Sequence, residues 1–538
     1  MTERRKRPML TLRQGNSKTD IRIDADEARV NHEAVEAIAN HPQLYQRSGE
    51  LVSVLKRRRH GRLSPIISPL PPAVLRSWLT DVAQFRDHHG HAHPPEWCLH
   101  YVRSVGEWGV PELDYAVEHP VIRPDGTVLQ AEGYDPVTRV MYSPSTKFEF
   151  VPDRPSQNEV IEARERLLDL VVDFPFAQPV HRNAWLAGLL TFFARPAYDG
   201  ATPFFLVDGN VRGAGKSFLC HVASLLATGR RMDPTTQAAD EAEEGKLITA
   251  VCRAGDVCKL IDNITRPFGS GKFDAALTTT TWEDRLLGQS QLLSLVHRCI
   301  WFGTGNNVQF NARADTARRT LHIRLLSQEQ NPEKRTGFKY PDLAGHILRH
   351  RGRYVADCLT LLRAYQVAKP TLNLKLKPWG SFEEWSEIVR GTIVFAGLDD
   401  PIEAHDHLTR IADNSASSLA NLISGWRELC TAHDVEGCTV RQALEWLAED
   451  VEYKRTSPGH TIRFNTLRDA LVELCNTAGR PLPDAKQLGY ALRGFRGRVV
   501  GDEYLECSDR EEGGRAWSVL KLKTKAKSEP ESIAAQVG

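Results

Sequence analysis

The sequence predicts an α/β protein, and three features of the 538-residue chain point to it. The first is the stretch 204–229, FFLVDGNVRGAGKSFLCHVASLLATG, which reads as a buried strand, a glycine-rich loop and an amphipathic helix in that order. The other two are apolar strands downstream, residues 257–263 and 299–302, each running out into polar residues: Asp262 and Asn263 in one case, Gly303 to Asn307 (GTGNN) in the other.

Within the first stretch, Phe218, Leu219, Val222, Leu225 and Leu226 recur at helical spacing, and Gly229 stops the helix. Gly213-Ala214-Gly215-Lys216-Ser217 lies between strand and helix. Glycines let such a loop turn its N–H groups around phosphate oxygens, and the helix N-terminus adds partial positive charge. Lys216 reaches the terminal phosphates and Ser217 can hold Mg²⁺, so the stretch reads as a phosphate-binding loop (P-loop). The candidate nucleotide-binding set is Asn210, Gly213, Ala214, Gly215, Lys216, Ser217 and Phe218. The pattern G-x-x-x-x-G-K-[ST] asks for glycine at 210, where the chain has Asn210, with Gly209 one place early. Asparagine tolerates left-handed backbone better than most residues, so the turn can still form.

Charged residues at 25% and apolar ones at 41% are ordinary for a globular protein, and the length suggests several domains. The net charge of +1 hides basic runs at residues 4–7, 56–62 (KRRRHGR) and 521–527. Such runs are most often solvated faces. The ten cysteines form no C-x-x-C pair, and neither a secretory leader nor an apolar run near a membrane-spanning length is visible. These features point to a reduced, cytoplasmic setting without a membrane. His88, His89, His91, His93, Cys98 and His100 crowd one segment, but no second ligand pair accompanies them, so a polar loop is the preferred reading over a metal site.

The order of elements suggests a disordered basic N-terminus at 1–20, a small α+β module at 21–155 and the nucleotide-binding core at 156–335. A helical lid at 336–401, a helical linker domain at 402–460, a winged-helix-like domain at 461–523 and a disordered tail at 524–538 follow. In the first module, residues 51–55 read as a strand entering the KRRRHGR run, and Pro124-Asp125-Gly126 as the turn of a hairpin. Near the C-terminus, two helices (464–475 and 484–495) and two strands around Glu511 to Gly514 look like a winged helix. Lys486, Tyr490, Arg493, Arg496 and Arg498 are its candidate DNA contacts.

Four motifs occur in fixed order: GAGKS, LIDN, TGNN and DTARR. With TWEDRLLG (281–288) and GSFEEWSEIVR (380–390), they resemble the ATPase region of phage and plasmid primase-helicases, a group similar to superfamily-3 helicases within the AAA+ class of P-loop NTPases. The resemblance covers roughly residues 44–401. It implies an ATP- and Mg²⁺-dependent motor that assembles as a ring, a hexamer, and moves on or unwinds DNA during replication of a mobile element.

By that resemblance Lys216 and Ser217 bind phosphates and Mg²⁺, Asp262 completes the metal site, Asn306 orients the attacking water, and Arg318 or Arg319 is an arginine finger supplied in trans. Residues 265–289 would supply the pore loop, with Lys272 and Arg285 contacting single-stranded DNA. Two departures stand out. The residue after Asp262 is Asn263, which cannot accept a proton as a glutamate would, leaving Glu243, Glu244 and Asp256 as the nearest acids in sequence. No primase module is visible, so priming would come from a separate primase or polymerase. The leading expectation is a DNA helicase or translocase. An ATP-switched initiator or loader with slow hydrolysis is the alternative, favoured by Asn263, and an AAA+ remodeller of another protein in a defence system is a third.

Overall fold

The computed structural model describes residues 18–522 apart from 60, 286–291, 312–313, 330, 457–462, 476–481, 498, 501 and 510–514. The basic run at 4–7, the tail after Lys523, the turn at Glu511 to Gly514 and Arg498 lie outside the described residues. The chain divides into two compact units, Met1–His407 and Leu408–Gly538.

The first unit opens with a strand, Thr19–Arg22, paired in parallel with Ala83–Asp87, so Thr19 and Asp20, assigned by sequence to the disordered terminus, are ordered. Helix α1 (Glu27–Ala39) is followed by a long antiparallel ribbon of β1 (Glu50–Arg59) and β2 (Arg62–Pro69). Helices α2 (Pro72–Val82) and α3 (Glu96–Ser104) pack on α1 through Val30, Leu75, Leu79, Leu99 and Val102. Cys98 is buried inside α3, whereas His88 and His89 form the turn of a small hairpin in which His91 pairs with Arg86. The Pro124-Asp125-Gly126 turn joins the short strands Val121–Ile122 and Val128–Leu129, as the sequence suggests.

Helices α4 (Gln157–Asp169) and α5 (Pro179–Ala194) lead to the central sheet. Ser156 and Glu159 form a capping box that fixes the start of α4. The sheet elements follow in chain order: β3 (Phe204–Gly209), α6 (Lys216–Thr228), β4 (Pro234–Thr235), α7 (Glu241–Ala254), β5 (Cys258–Ile264), α8 (Gly271–Thr278), a hairpin of β6 (Thr281–Arg285) and β7 (Leu292–Val296), β8 (Ile300–Asn306) and β9 (Thr320–Leu325). Five of these strands form a parallel sheet in the order β4-β5-β8-β3-β9.

The apolar runs that predict these strands are continuous because both faces of the sheet are covered. Phe205 and Val207 of β3 join a core with α5 and α6, while their neighbours Phe204 and Leu206 join a second core with α7 and α8. This period of two makes a three-layer α/β arrangement. Helix α5 is apolar all round because it lies wholly inside the first core, with Gly188 admitting the rings of Phe205 and Phe302.

Helix α9 (Leu343–Ala368), expected to form a lid, packs into that first core against α4 and α6. Arg351 is buried on α9, and its guanidinium donates to the carbonyls of Leu226 (2.8 Å) and Ala227 at the end of α6. Arg166 of α4 forms an ion pair of 2.8 Å with the buried Asp357. Residues 343–395 therefore share one hydrophobic cluster with the sheet.

Helix α10 (Ile402–Ala432) runs into the second unit. There β10 (Gly437–Thr439), α11 (Val440–Thr456), α12 (Asn465–Cys475), α13 (Ala485–Phe495), β11 (Val499–Val500), β12 (Glu503–Asp509) and β13 (Arg515–Lys521) follow. The sheet order is β10-β13-β12-β11, antiparallel throughout. The expected helix–helix–hairpin order at the end is present, and β10 adds an edge strand that the sequence reading assigned to a helical linker. Among the described residues no helix is long and apolar enough to cross a membrane.

Candidate functional site

Strand β3 ends at Gly209, and the loop that follows turns through Gly213 (φ 77°) and Gly215 (φ 85°) into α6. Both glycines occupy left-handed backbone that side chains disfavour. Gly215 is the N-cap and offers no side chain, so the first N–H groups of α6 are left to an external acceptor. Asn210 makes no use of its tolerance for left-handed backbone, since it is not among the positive-φ residues. Its side-chain amide instead pins the loop to the segment after β9, donating to Ser327 O (2.8 Å) and accepting from Ser327 N–H (3.0 Å). The early glycine has its own reason: a Cβ at Gly209 would stand 3.3 Å from the Lys216 Nζ, so Gly209 lets the lysine lie across the strand end.

Lys216 Nζ donates to Val211 O (2.7 Å) and to Asn306 Oδ1 (2.8 Å). Burial holds its ammonium below the ordinary lysine value; Asp208 works against that shift and Arg324 with it. One residue further, Ser217 Oγ donates to Asp262 Oδ1 (2.7 Å), which also accepts from Thr304 Oγ1 (2.5 Å). Three motifs separated in sequence thus meet at the C-terminal edge of the sheet: GAGKS from β3–α6, Asp262 from β5, and Thr304 and Asn306 from β8. The parallel arrangement brings them together, because it puts the ends of β3, β5 and β8 on one side.

Asn263 follows Asp262 at a register shift between Ile261 and Ile264, with φ 56°. Its N–H is accepted by Thr304 Oγ1 (3.0 Å), which fixes the bulge. Asparagine suits left-handed backbone and glutamate does not, so local geometry accounts for the residue type. The alternative acids are disposed differently. Asp256 precedes β5 and therefore lies at the sheet edge opposite Asp262, 3.6 Å from Arg59. Glu243 is paired with Lys246 at 2.7 Å. Glu244 accepts from Ser270 Oγ, and burial pushes its carboxyl above the usual range.

Beside the glycine loop lies a cleft of about 530 Å³ lined by Phe174, Phe218, Leu326, Phe338 and Tyr340, with Arg335 at its rim. Phe174 and Phe218 stand 6.2 Å apart, and Phe174 packs on Gly215. An apolar, aromatic cleft of this size next to a phosphate-binding loop suits a flat heteroaromatic ring.

The paired arginines separate in space. They end a short 3₁₀ turn, Thr316–Arg319, that feeds the N-terminal end of β9. Thr320 pairs with Phe204 and Leu325 with Gly209, so both arginines lie at the sheet edge away from the glycine loop. The Arg318 side chain is 75% exposed, with Asp315 at 3.9 Å. Arg319 is turned inward, 3.6 Å from Asp274 and 3.5 Å from Asp315.

The expected pore segment becomes α8 and the β6–β7 hairpin, whose connecting residues 286–291 lie outside the described residues. Lys272 is not presented at a loop tip. It sits in the first turn of α8, half-buried along α7, where its Nζ would come 2.5 Å from a Cβ at Gly245. The backbone of Arg285 pairs with Leu292 at the hairpin's loop end, and its side chain lies outside the described atoms. In the second unit Lys486, Tyr490 and Arg493 share the exposed face of α13, while Leu488, Ala491, Leu492 and Phe495 bury the other. Arg496 is paired with Glu506.

The sequence reading gave no role to Thr304, Asp208 or Arg324. Asp208 is buried at the end of β3, where it accepts from the N–H groups of Gly209 (2.9 Å) and Val308 (3.3 Å) and pairs with Arg324 of β9. Arg324 also donates to Asn307 Oδ1 (2.5 Å). A buried acid at a strand end just before the loop is the signal that would have found this cluster.

No protein-family model and no curated protein matches the chain. Among solved structures it is similar to the A-form apo structure of the NrS-1 C-terminal region, with TM-score 0.38, 11% identity, and 89% of this chain and 96% of that chain covered. A second apo structure of the same region gives TM-score 0.37 and 9% identity over 89% and 96% of the two chains.

Proposed function

We propose that the chain is an ATP-driven DNA helicase or translocase that acts in replication of a phage, plasmid or integrated mobile element, assembled as a ring with an arginine finger in trans. The observation that carries the nucleotide part is the convergence of Lys216, Asn306, Ser217, Asp262 and Thr304 at one sheet edge, next to the open N-terminus of α6. The α6 N–H groups and Lys216 hold the phosphates, Lys216 exchanging Val211 O and Asn306 Oδ1 for phosphate oxygens. Asn306, released, orients a water toward the terminal phosphate. The aromatic cleft takes the adenine ring.

Ser217 Oγ and Asp262 Oδ1 form the hard-oxygen pair that a Mg²⁺ ion prefers, and the ion would neutralise phosphate charge there. Arg318 of a neighbouring copy completes the site, because its own sheet keeps it away from its own loop. DNA binding is supported by the exposed face of α13 and by the motif order.

One observation favours a second reading. Asn263 stands in left-handed backbone where a base would be, so ATP would act as a slow switch that orders an initiator or loader. Steady-state hydrolysis with and without single-stranded DNA separates the two. Strong stimulation by DNA, abolished in Lys216→Ala and followed by strand displacement, supports the motor. ATP-dependent assembly on DNA with scarcely any turnover supports the switch, and turnover indifferent to DNA overturns the motor.

A further inference from the structure

The KRRRHGR run is not a solvated helix face. It is the outer part of the β1–β2 ribbon, and Lys56, Arg57 and Arg58 are exposed along it. From Leu51 to Leu70 the sequence carries five lysines and arginines and no aspartate or glutamate. Alternation along the strand puts Lys56 and Arg58 on one face of the ribbon and Arg57 and Arg59 on the other. Arg62 stands directly opposite Arg59, adding a like charge to the second face. Such cross-strand repulsion is unfavourable in the isolated protein. Arg57 and Arg58 form no ion pair among the described residues, and Leu63, opposite Arg58, is 46% exposed.

One cation on each face is tied to the protein body, which leaves Arg58 on one face and Arg57 on the other. Arg59 reaches Asp256 (3.6 Å) and Lys56 reaches Glu132 (3.4 Å). A Cβ at Gly255 would meet Ile67 at 3.3 Å, and one at Gly229 would meet Arg62 Nη1 at 3.4 Å. The contacts with Gly229, Gly255 and Asp256 are with the ends of α6 and α7, so the ribbon sits at the sheet edge opposite the glycine loop.

We propose that the β1–β2 ribbon is a second nucleic-acid site, independent of the nucleotide site, that enters a groove of duplex DNA and contacts the phosphates on both sides. A two-stranded ribbon fits the major groove, about 12 Å wide. Cations on both faces match the two phosphate walls of a groove, whereas a ribbon laid along a single strand needs only one charged face. The absence of acids over the same stretch removes any competing repulsion of phosphate.

The test is anisotropy of a fluorescein-labelled 30-base-pair duplex, titrated with the full chain without nucleotide at several salt concentrations. The expected result is that Arg57→Gln/Arg58→Gln weakens binding and makes the slope of log K against log salt shallower by about 1.8, while Arg57→Lys/Arg58→Lys keeps the slope. Both residues are exposed, so the thermal midpoint stays that of the wild type, and ATP hydrolysis without DNA is unchanged. A failed ribbon is thereby told apart from a failed motor. An unchanged slope in the Gln variant overturns the proposal. So does a loss confined to a single-stranded probe, or a wild type that ignores DNA yet binds polyglutamate through the same arginines.

Discussion

Removing the Arg318 guanidinium tests the geometry of the proposed site most sharply. The parallel register from Phe204↔Thr320 to Gly209↔Leu325 separates the arginine turn from the glycine loop by five residue steps, roughly 17 Å. An arginine side chain cannot cross that distance, so Arg318 does not touch the nucleotide site of its own chain, and the proposal has it act on that of another copy. Arginine fingers contribute about 1,000-fold or more to turnover, equivalent to about 4 kcal/mol of transition-state stabilisation. Because Arg318 is 75% exposed, Arg318→Ala leaves folding intact and weakens ATP binding little. The assay is steady-state hydrolysis by Arg318→Ala, by Lys216→Ala and by an equimolar mixture. Each variant alone is expected to be inactive. Random assembly of a head-to-tail ring leaves about a quarter of the interfaces with both an intact lysine and an intact arginine, so the mixture recovers activity. Full activity in Arg318→Ala, or no recovery on mixing, refutes the assignment in trans. Arg319→Ala behaves differently, since Arg319 is held between Asp274 and Asp315: it lowers stability by about 1–2 kcal/mol.

Three further substitutions probe the framework. Asn263→Glu forces a longer acid into left-handed backbone and is expected to cost about 1–2 kcal/mol in urea unfolding without accelerating hydrolysis, while Asn263→Gly is tolerated; a faster, undestabilised Glu variant contradicts this. Thr304→Val removes the hydroxyl that donates to Asp262 and accepts the Asn263 N–H, and is expected to cost about 2–3 kcal/mol and to raise the Mg²⁺ concentration needed for half-maximal ATP binding. Arg351→Met strips the end of α6 of its two buried hydrogen bonds, and a loss of about 3 kcal/mol in the same assay is expected; a change within experimental scatter would show that α9 is not tied to α6 in this way.

The glycine loop and the strands that flank it were legible because each is set locally, by an apolar run, by glycine in left-handed backbone and by helical spacing. What was not legible arises from strands that are far apart in sequence. Thr304 gains its meaning only because β8 lies beside β5, and Arg324 only because β9 lies beside β3. The role of Asn210 in pinning the loop was not legible either, because its side-chain partner, Ser327, is 117 residues away. The ribbon shows the same limit. Four consecutive cations have low strand propensity, yet pairing with residues 62–65 carries β1 through them. Conversely, Lys272 seemed a free loop cation until α8 placed it along α7.

The most direct test of the central claim is calorimetric titration of the protein with Mg·ATP beside the Lys216→Ala variant. The account predicts saturable binding by the wild type and binding at least about tenfold weaker in Lys216→Ala, whose unfolding midpoint stays near that of the wild type. Equal affinity in the two proteins, or no binding by a folded wild type, contradicts it.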